Sequence, residues 1–285
     1  NQAMLLSEVF TAGKWLQGMI DLHCHILPSI DDGAKDLAAS LAMARMAAAD
    51  GIAVTACTPH IYPGVYDNTG DGIRAGVARL QQALDEAGIA LRLTSGADAH
   101  IAPELPEQLR SGAAPTLGGT RYFLLEPPHH VAPPRFADFV FDLLAAGFVP
   151  LITHPERLTW IGDHYEMFCT LAERGAWMQV TAGSLTGRFG SEARYWGERL
   201  LDEGRVHVLA TDAHGVNRRP PLLAEGRQAA EKWLGAEEAR HLVETRPAGI
   251  LKNISPSALP PLPQRELQRS KRRGLWARLW GSKGG

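Results

Sequence analysis

Seven short runs rich in apolar residues recur along the chain, at Met19–His25, Ala53–His60, Leu91–Asp98, Tyr122–Glu126, Val149–His154, Trp177–Thr181 and Val206–Asp212. Helix-patterned segments separate them at about 36–50, 71–88, 133–146, 163–174 and 192–203, while Pro103 and Pro106 limit the 104–110 connection to a turn or two. In the first of these segments Leu37, Leu41, Ala44 and Ala48 share one helical face, and Gly51 stands where a left-handed terminating residue is wanted. Strand–helix alternation of this kind makes neighbouring strands parallel, because each helix carries the chain back to the starting edge of the sheet. Seven such units without a second core predict an α/β fold, a distorted seven-stranded parallel (β/α)7 barrel of TIM-like type. A hydrophobic content of 45% with 21% charged residues is enough to bury its core.

The ends of these runs carry a second pattern. His23 and His25 flank Cys24 at a strand end, so alternation aims both imidazoles one way and turns Cys24 to the other face. An Asp31-Asp32-Gly33 turn follows, and later runs finish in His60, Asp98, Glu126, His154 and Asp212, with His214 close behind. The C-terminal strand ends of a β/α barrel form a single face, where active sites assemble. Imidazoles and carboxylates gathered there are the ligand types of a polynuclear metal site, and packing alone gives no reason for them. Ligand type alone leaves manganese, iron and zinc open.

HCH with the IDDG turn, TPH at 58–60, GAD at 96–98, LEP at 125–127, THPER at 153–157 and TDAH at 211–214 together resemble the PHP (polymerase and histidinol phosphatase) family. The MIDLHCHILPSIDDG opening and the Arg-Pro-Pro at Arg219–Pro221 are similar to one branch, the bacterial metal-dependent protein-tyrosine phosphatases of the CpsB/CapC type. The resemblance runs from Met19 to about Asn253. It implies three divalent ions, manganese by the habit of the branch. His23, His25, Asp98 and Asp212 would hold the first, a bridging Asp98 with Glu126 and His154 the second, and Asp32, His60 and His214 the third. The bridging position is usually glutamate in this branch, so Asp98 is a departure. His100, two residues on, either compensates for the shorter carboxylate or is a loop residue, the preferred reading; His129 and His130 in EPPHH are either a general acid or part of a Pro-flanked surface loop, again the preferred reading.

Chemistry follows from this set. Paired cations activate water for attack at phosphorus, and planar guanidinium groups match phosphate oxygens, which nominates Arg157 and Arg219 as the clamp. The thiolate route to phosphotyrosine needs Cys followed after five residues by Arg. Cys24, Cys57 and Cys169 have Ile30, Pro63 and Gly175 there, which excludes it. A tyrosine phenol, with a pKa near 10, leaves with little protonation, whereas an alkyl phosphate benefits from a general acid that the chain does not plainly spare. Phosphotyrosyl protein is the expected substrate, and the family context points to a tyrosine autokinase of polysaccharide export. The alternatives are a small-molecule phosphomonoesterase of histidinol-phosphatase type and a weakly active metal-binding scaffold.

Residues 1–18 read as an N-terminal extension, 19–254 as the phosphatase domain, and 255–285 as a Pro-rich, then basic and aromatic tail. Arg265 to Lys283 hold seven basic residues against Glu266, so with a net charge of −2 the body is acidic and a poor binder of nucleic acid. Trp276 and Trp280 among those arginines suit peripheral contact with an anionic membrane surface. No apolar stretch reaches the roughly 18 to 20 residues of a membrane span, and three cysteines without paired spacing fit a reducing cytoplasm.

Overall fold

The computed structural model describes residues 18–263; the expectations for the N-terminal extension and for the basic tail lie outside the described residues. Among the described residues nine strands run in chain order as β1 (Met19–Cys24), β2 (Ile52–Cys57), β3 (His60–Ile61), β4 (Arg92–Ser95), β5 (Asp98–His100), β6 (Tyr122–Glu126), β7 (Val149–Thr153), β8 (Trp177–Thr181) and β9 (Val208–Ala210). The helices between them are α1 (Leu37–Ala49), α2 (Gly70–Glu86), α3 (Leu105–Ser111), α4 (Phe136–Ala145), α5 (Ile161–Glu173), α6 (Ala182–Leu185) and α7 (Gly190–Asp202).

All strand pairs are parallel, as the alternation predicts, but they form two sheets, β1-β2-β4 and β3-β5-β6-β7-β8-β9. The seven expected strands therefore do not share one continuous ladder. Two of the apolar runs break in the middle, Ala53–His60 into β2 and β3 and Leu91–Asp98 into β4 and β5. The first break falls at Pro59, which has no N–H to give a ladder. The second falls at Gly96, where a Cβ would lie 3.0 Å from both Leu117 and Thr58 side chains. Backbone bonds from Gly96 to Cys57 (3.0 Å) and from Asp98 to Pro59 (3.1 Å) carry the chain across. At the other edge the segment after β9 meets β1, with Asp212 N donating to His23 O at 2.8 Å and His25 N to Ala213 O at 2.9 Å.

Alternate strand residues Val54, Ala56, Tyr122, Leu124, Val149, Leu151 and Trp177 form an apolar cluster between the strands, with Leu117, Ile250, Leu251 and Leu259 packed into it. Glu126 shares a strand face with Tyr122 and Leu124, and Gln179 with Trp177, so one end of this cluster is capped by polar groups. The larger core lies between strands and helices. On α1 the buried residues are Ser40, Met43, Ala44 and Ala47; of the expected stripe Ala44 is buried, Leu41 and Ala48 pack partly buried against the core, and Leu37 is exposed. Ser40 wins the buried position because its hydroxyl donates to Ile26 O at 2.7 Å. Gly51 takes the expected left-handed conformation, φ +91°.

Three helices after the last strand were not legible from the apolar periodicity: α8 (Ala224–Leu234), α9 (Ala236–Arg240) and α10 (Arg246–Leu251), the last two joined by a π-helical turn at His241–Thr245. They bring Arg246 against His207, whose backbone carbonyl accepts from its guanidinium at 3.3 Å. The His207 ring stacks on Trp177 at 4.8 Å and accepts from Met178 N at 3.1 Å through Nδ1. Burial and then the nearby Arg246 charge lower its pKa to about 3. Unfolding exposes a histidine that titrates near 6.5, so this group takes up about one extra proton on unfolding between those values. Stability is unaffected by it above pH 6.5 and falls as the pH drops below. In urea titrations of wild type and His207→Gln between pH 7 and pH 5, we expect the variant, whatever its offset, to lose less stability on acidification. Parallel curves would remove His207 as the cause.

Candidate metal centre

The polar cap at the C-terminal strand ends is built from residues spread over the whole described chain. His23 is fully buried in β1, and its Nε2 lies 3.2 Å from Asp98 Oδ2, 3.2 Å from Asp212 Oδ1 and 3.1 Å from His25 Nε2. Its Nδ1 faces Gln179 Oε1 at 2.9 Å, and His25 Nδ1 faces Asp31 Oδ2 at 2.7 Å. Both rings are thus held from outside while presenting Nε2 inward, the arrangement that orients imidazole ligands. The Asp-Asp-Gly turn divides its labour. Asp31 holds His25 and also accepts from His60 N (3.1 Å) and Gly33 N (2.9 Å), whereas Asp32 reaches His60 Nε2 at 3.4 Å and His214 Nε2 at 3.2 Å. Gly33 is required because a side chain there would run into the His25 backbone.

Around Glu126, Oε2 lies 3.1 Å from His60 Nδ1 and 3.1 Å from His100 Nε2, and Oε1 lies 3.6 Å from His129 Nε2 and 3.7 Å from His154 Nε2. Asp98 also approaches His60 Nδ1, at 3.7 Å. All nine expected ligand residues, His23, His25, Asp32, His60, Asp98, Glu126, His154, Asp212 and His214, therefore meet in one region. Their ligand atoms fall into overlapping groups able to hold an ion: His23, His25 and Asp98; His23, His154 and Asp212; His60, Asp98 and Glu126; Glu126, His129 and His154; His25, Asp32, His60 and His214. These groups overlap the expected three without reproducing them: Asp98 and Glu126 group with His60, not with His154. His25 also joins the Asp32 group, and His154 lies with His23 and Asp212 as well as with Glu126.

The donor set fits divalent cations. Both carboxylate oxygens of Asp98, Glu126 Oε2, His60 Nδ1, His154 Nδ1 and His214 Nε2 are buried and make no hydrogen bond among the described residues. His60 Nδ1 lies 3.1 Å from Glu126 Oε2 and 3.7 Å from Asp98 Oδ2, and Asp98 Oδ2 lies 3.2 Å from His23 Nε2, so these atoms crowd one space. Buried polar atoms aimed at a shared space, not at each other, suit a central cation. Electrostatics agree in sign. Burial alone would depress His23 and His60, yet Asp98 and Asp212 raise His23 to about 9, and Asp32, Glu126 and Asp98 raise His60 to about 11. Burial would likewise raise Glu126 and Asp212. His100, His129 and His60 hold Glu126 well below the usual range, and His23, Arg219 and Arg157 do the same for Asp212. His25 goes the other way, to about 4, through burial and the neighbouring His214.

Arg157 and Arg219, the expected clamp, converge on one atom: both donate to Asp212 Oδ2. Arg157 also lies over the Phe189 ring at 4.3 Å. Glu156, its sequence neighbour, is instead buried against Thr181 N (2.9 Å) and Ser184 Oγ (2.8 Å). His154 (φ +37°) and Asp212 (φ +50°) both occupy the left-handed region, an unfavourable backbone state for residues other than glycine and frequent at functional sites.

Several contributors were missed. His100 and His129, read as loop residues, both touch Glu126. His100 had a signal, since it follows Asp98 by two on a strand. Gln179, the polar residue inside an apolar run, had another. Asp21, likewise a polar residue inside an apolar run, accepts from Thr211 N at 2.9 Å, tying β1 to the strand end that carries Asp212. Among the loop aromatics, Tyr62 and Tyr66 lie against site imidazoles, whereas Trp160 packs with Phe136 and Phe168, and Tyr195 with Trp196. Among the described residues no helix is long and apolar enough to cross a membrane.

Residues 19–252 match the family model described as capsular polysaccharide synthesis, CpsB/CapC. The chain is 38% identical over 247 residues to the tyrosine-protein phosphatase YwqE of Bacillus subtilis (strain 168), covering 86% of this chain and 96% of that one. It is 26% identical over 238 residues to the tyrosine-protein phosphatase CpsB of Streptococcus pneumoniae, covering 82% and 98% respectively. In three dimensions it superposes with a TM-score of 0.81, at 35% identity and over 87% of this chain and all of the other, on a structure from a study of YwqE and CpsB as unique metal-dependent tyrosine phosphatases. With a family model spanning most of its length and a relative above one-third identity, the chain belongs to the CpsB/CapC family.

Proposed function

We propose that this chain is a metal-dependent protein-tyrosine phosphatase. The observation that carries the reading is the convergence of nine imidazole and carboxylate residues beside two arginines at one face of the fold. His23, His25, Asp98 and Asp212 would hold one divalent ion, Asp98, Glu126 and His154 a second, and Asp32, His60 and His214 a third. Manganese is our first choice, with iron and zinc as alternatives. Such ions supply positive charge to phosphate oxygens and lower the pKa of water toward neutrality. Arg157 and Arg219, already beside Asp212, would accept the phosphate in their planar forks. Asp31 and Gln179 keep His25 and His23 in register, and Glu156 anchors the turn that carries Arg157.

We take 19–254 as the catalytic domain and the two sheets as a distorted, interrupted form of the seven-unit barrel. We infer a phosphotyrosyl protein as substrate, specifically a tyrosine autokinase of polysaccharide export, with the basic tail supplying membrane contact. The test is hydrolysis of a phosphotyrosyl peptide and of histidinol phosphate, before and after chelation. We expect the peptide to be cleaved in preference, activity to vanish on chelation, and manganese to restore it. Preference for histidinol phosphate would favour the small-molecule phosphatase. Failure of every ion to support turnover would favour the scaffold, and full activity after chelation would end the metal reading.

A further inference from the structure

After β3 the chain makes a tight antiparallel turn. Tyr62 N donates to Tyr66 O at 3.0 Å and Tyr66 N to Tyr62 O at 2.8 Å. Gly64, at φ +78°, turns the tip, and its N–H donates to Asp67 Oδ1 at 2.8 Å. Asn68 Nδ2 fastens the base by donating to His60 O (2.8 Å) and to Ile30 O (3.1 Å) in the loop that carries Asp31 and Asp32. The turn is therefore held to the site by its own bonds.

Two aromatic planes result. Tyr62 lies flat on His100, centroids 3.8 Å apart and planes at 10°, and Tyr66 faces His60 at 5.5 Å and 15°. Both imidazoles reach Glu126 Oε2, each at 3.1 Å, so each tyrosine is one imidazole away from the centre. Tyr66 is half-buried, whereas Tyr62 is 39% exposed although His100 occupies one side of its ring. The large apolar side chains exposed among the described residues are Leu37, Tyr62, Val65 and Val131. All follow strands on the site face: Leu37 comes after the Asp31–Asp32 loop, Tyr62 and Val65 lie in this turn, and Val131 is two residues beyond His129. An exposed aromatic ring one imidazole from a polar centre suits a ligand with an anionic head and an aromatic body.

We propose that the exposed Tyr62 ring determines specificity by packing against the aryl ring of the substrate, so that the Tyr62–Tyr66 turn selects phosphotyrosyl groups over alkyl phosphates. This rests on the phosphatase reading above. An alkyl phosphate has no ring bonded directly to the phosphate oxygen and gains less there, while a phenyl ring gains contact area and offset stacking. The contact is made equally by substrate and transition state, so its loss raises KM and leaves kcat alone.

The experiment is steady-state hydrolysis of a phosphotyrosyl peptide by the full manganese-loaded chain, with inhibition by orthophosphate measured alongside. We expect Tyr62→Ala to raise KM about tenfold, equivalent to about 1.4 kcal/mol, with kcat within about twofold. Orthophosphate inhibition should be unchanged, and Tyr62→Phe, which keeps the ring, should match wild type. An unchanged KM in Tyr62→Ala overturns the proposal. So does an equal weakening of orthophosphate inhibition, which would mean that the change disturbs Glu126 through His100. Wild-type protein inactive on the peptide with every divalent ion overturns the phosphatase reading itself; an active wild type with an indifferent Tyr62→Ala removes only the role of Tyr62.

Discussion

Asparagine in place of Asp98 will lower turnover by about a thousandfold or more and leave the protein with less bound metal per chain. Asp98 is fully buried, and neither of its carboxylate oxygens has a hydrogen-bond partner among the described residues. It stands between two imidazoles, 3.2 Å from His23 and 3.7 Å from His60, and so belongs to two of the candidate ion groups. Asparagine keeps the shape but removes the negative charge and puts an amide hydrogen-bond donor where one ligand oxygen stood. A cation's contribution to phosphoryl transfer is several kcal/mol, and each 1.36 kcal/mol is tenfold in rate, which sets the scale. Elemental analysis of the purified variant beside wild type, with circular dichroism to establish the fold, separates lost ligation from lost structure. Wild-type metal content with wild-type turnover would deny Asp98 the bridging role. Asp98→Glu, which keeps the charge and lengthens the reach, is the informative companion and should retain metal.

The second large effect concerns stability. Arg246 is fully buried outside the site, and its guanidinium donates to Glu238 Oε1 (2.7 Å), Pro261 O (2.9 Å), Pro260 O (3.0 Å) and His207 O (3.3 Å). It ties the 259–263 segment to the end of the sheet, where Leu259 packs against Gly249. Removing one partner of a buried charged network leaves the other uncompensated, at a cost of about 3–5 kcal/mol. Arg246→Ala should lower unfolding free energy by that amount in urea and expose the chain after about residue 252 to limited proteolysis. Activity at low temperature should survive, since no site residue touches Arg246. A loss under about 1 kcal/mol would mean that the apolar contacts of Leu259 carry this closure instead.

Much of the site was legible because its signals are local. Strand alternation and the placement of His or an acidic residue at the end of an apolar run depend on neighbours a few residues away, so His23, His25, His60, Asp98, Glu126 and His154 could be named before any contact was known. Position in a run does not say what a residue will meet. His100 and His129 looked like ordinary loop histidines until Glu126 stood between them. Asp31 and Asp32 are chemically equal neighbours, and the turn alone aims one at the back of His25 and the other at His60 and His214. The stripe assigned to α1 is met only in part for a related reason: helical period ranks faces by apolarity, whereas a hydroxyl with a buried acceptor, Ser40 on Ile26, takes a buried position that Leu37 does not.

The amino-acid order by itself determined the parallel α/β class, the ligand chemistry and the family likeness, since all three are written in short-range periodicity and residue type. Only the tertiary structure decided that the ladder splits at Pro59 and Gly96, that Arg157 and Arg219 meet on Asp212, and that Arg246 closes the far end. Those outcomes depend on groups between 7 and 55 positions apart reaching one another at ångström range, which is fixed by how the sheets and helices pack.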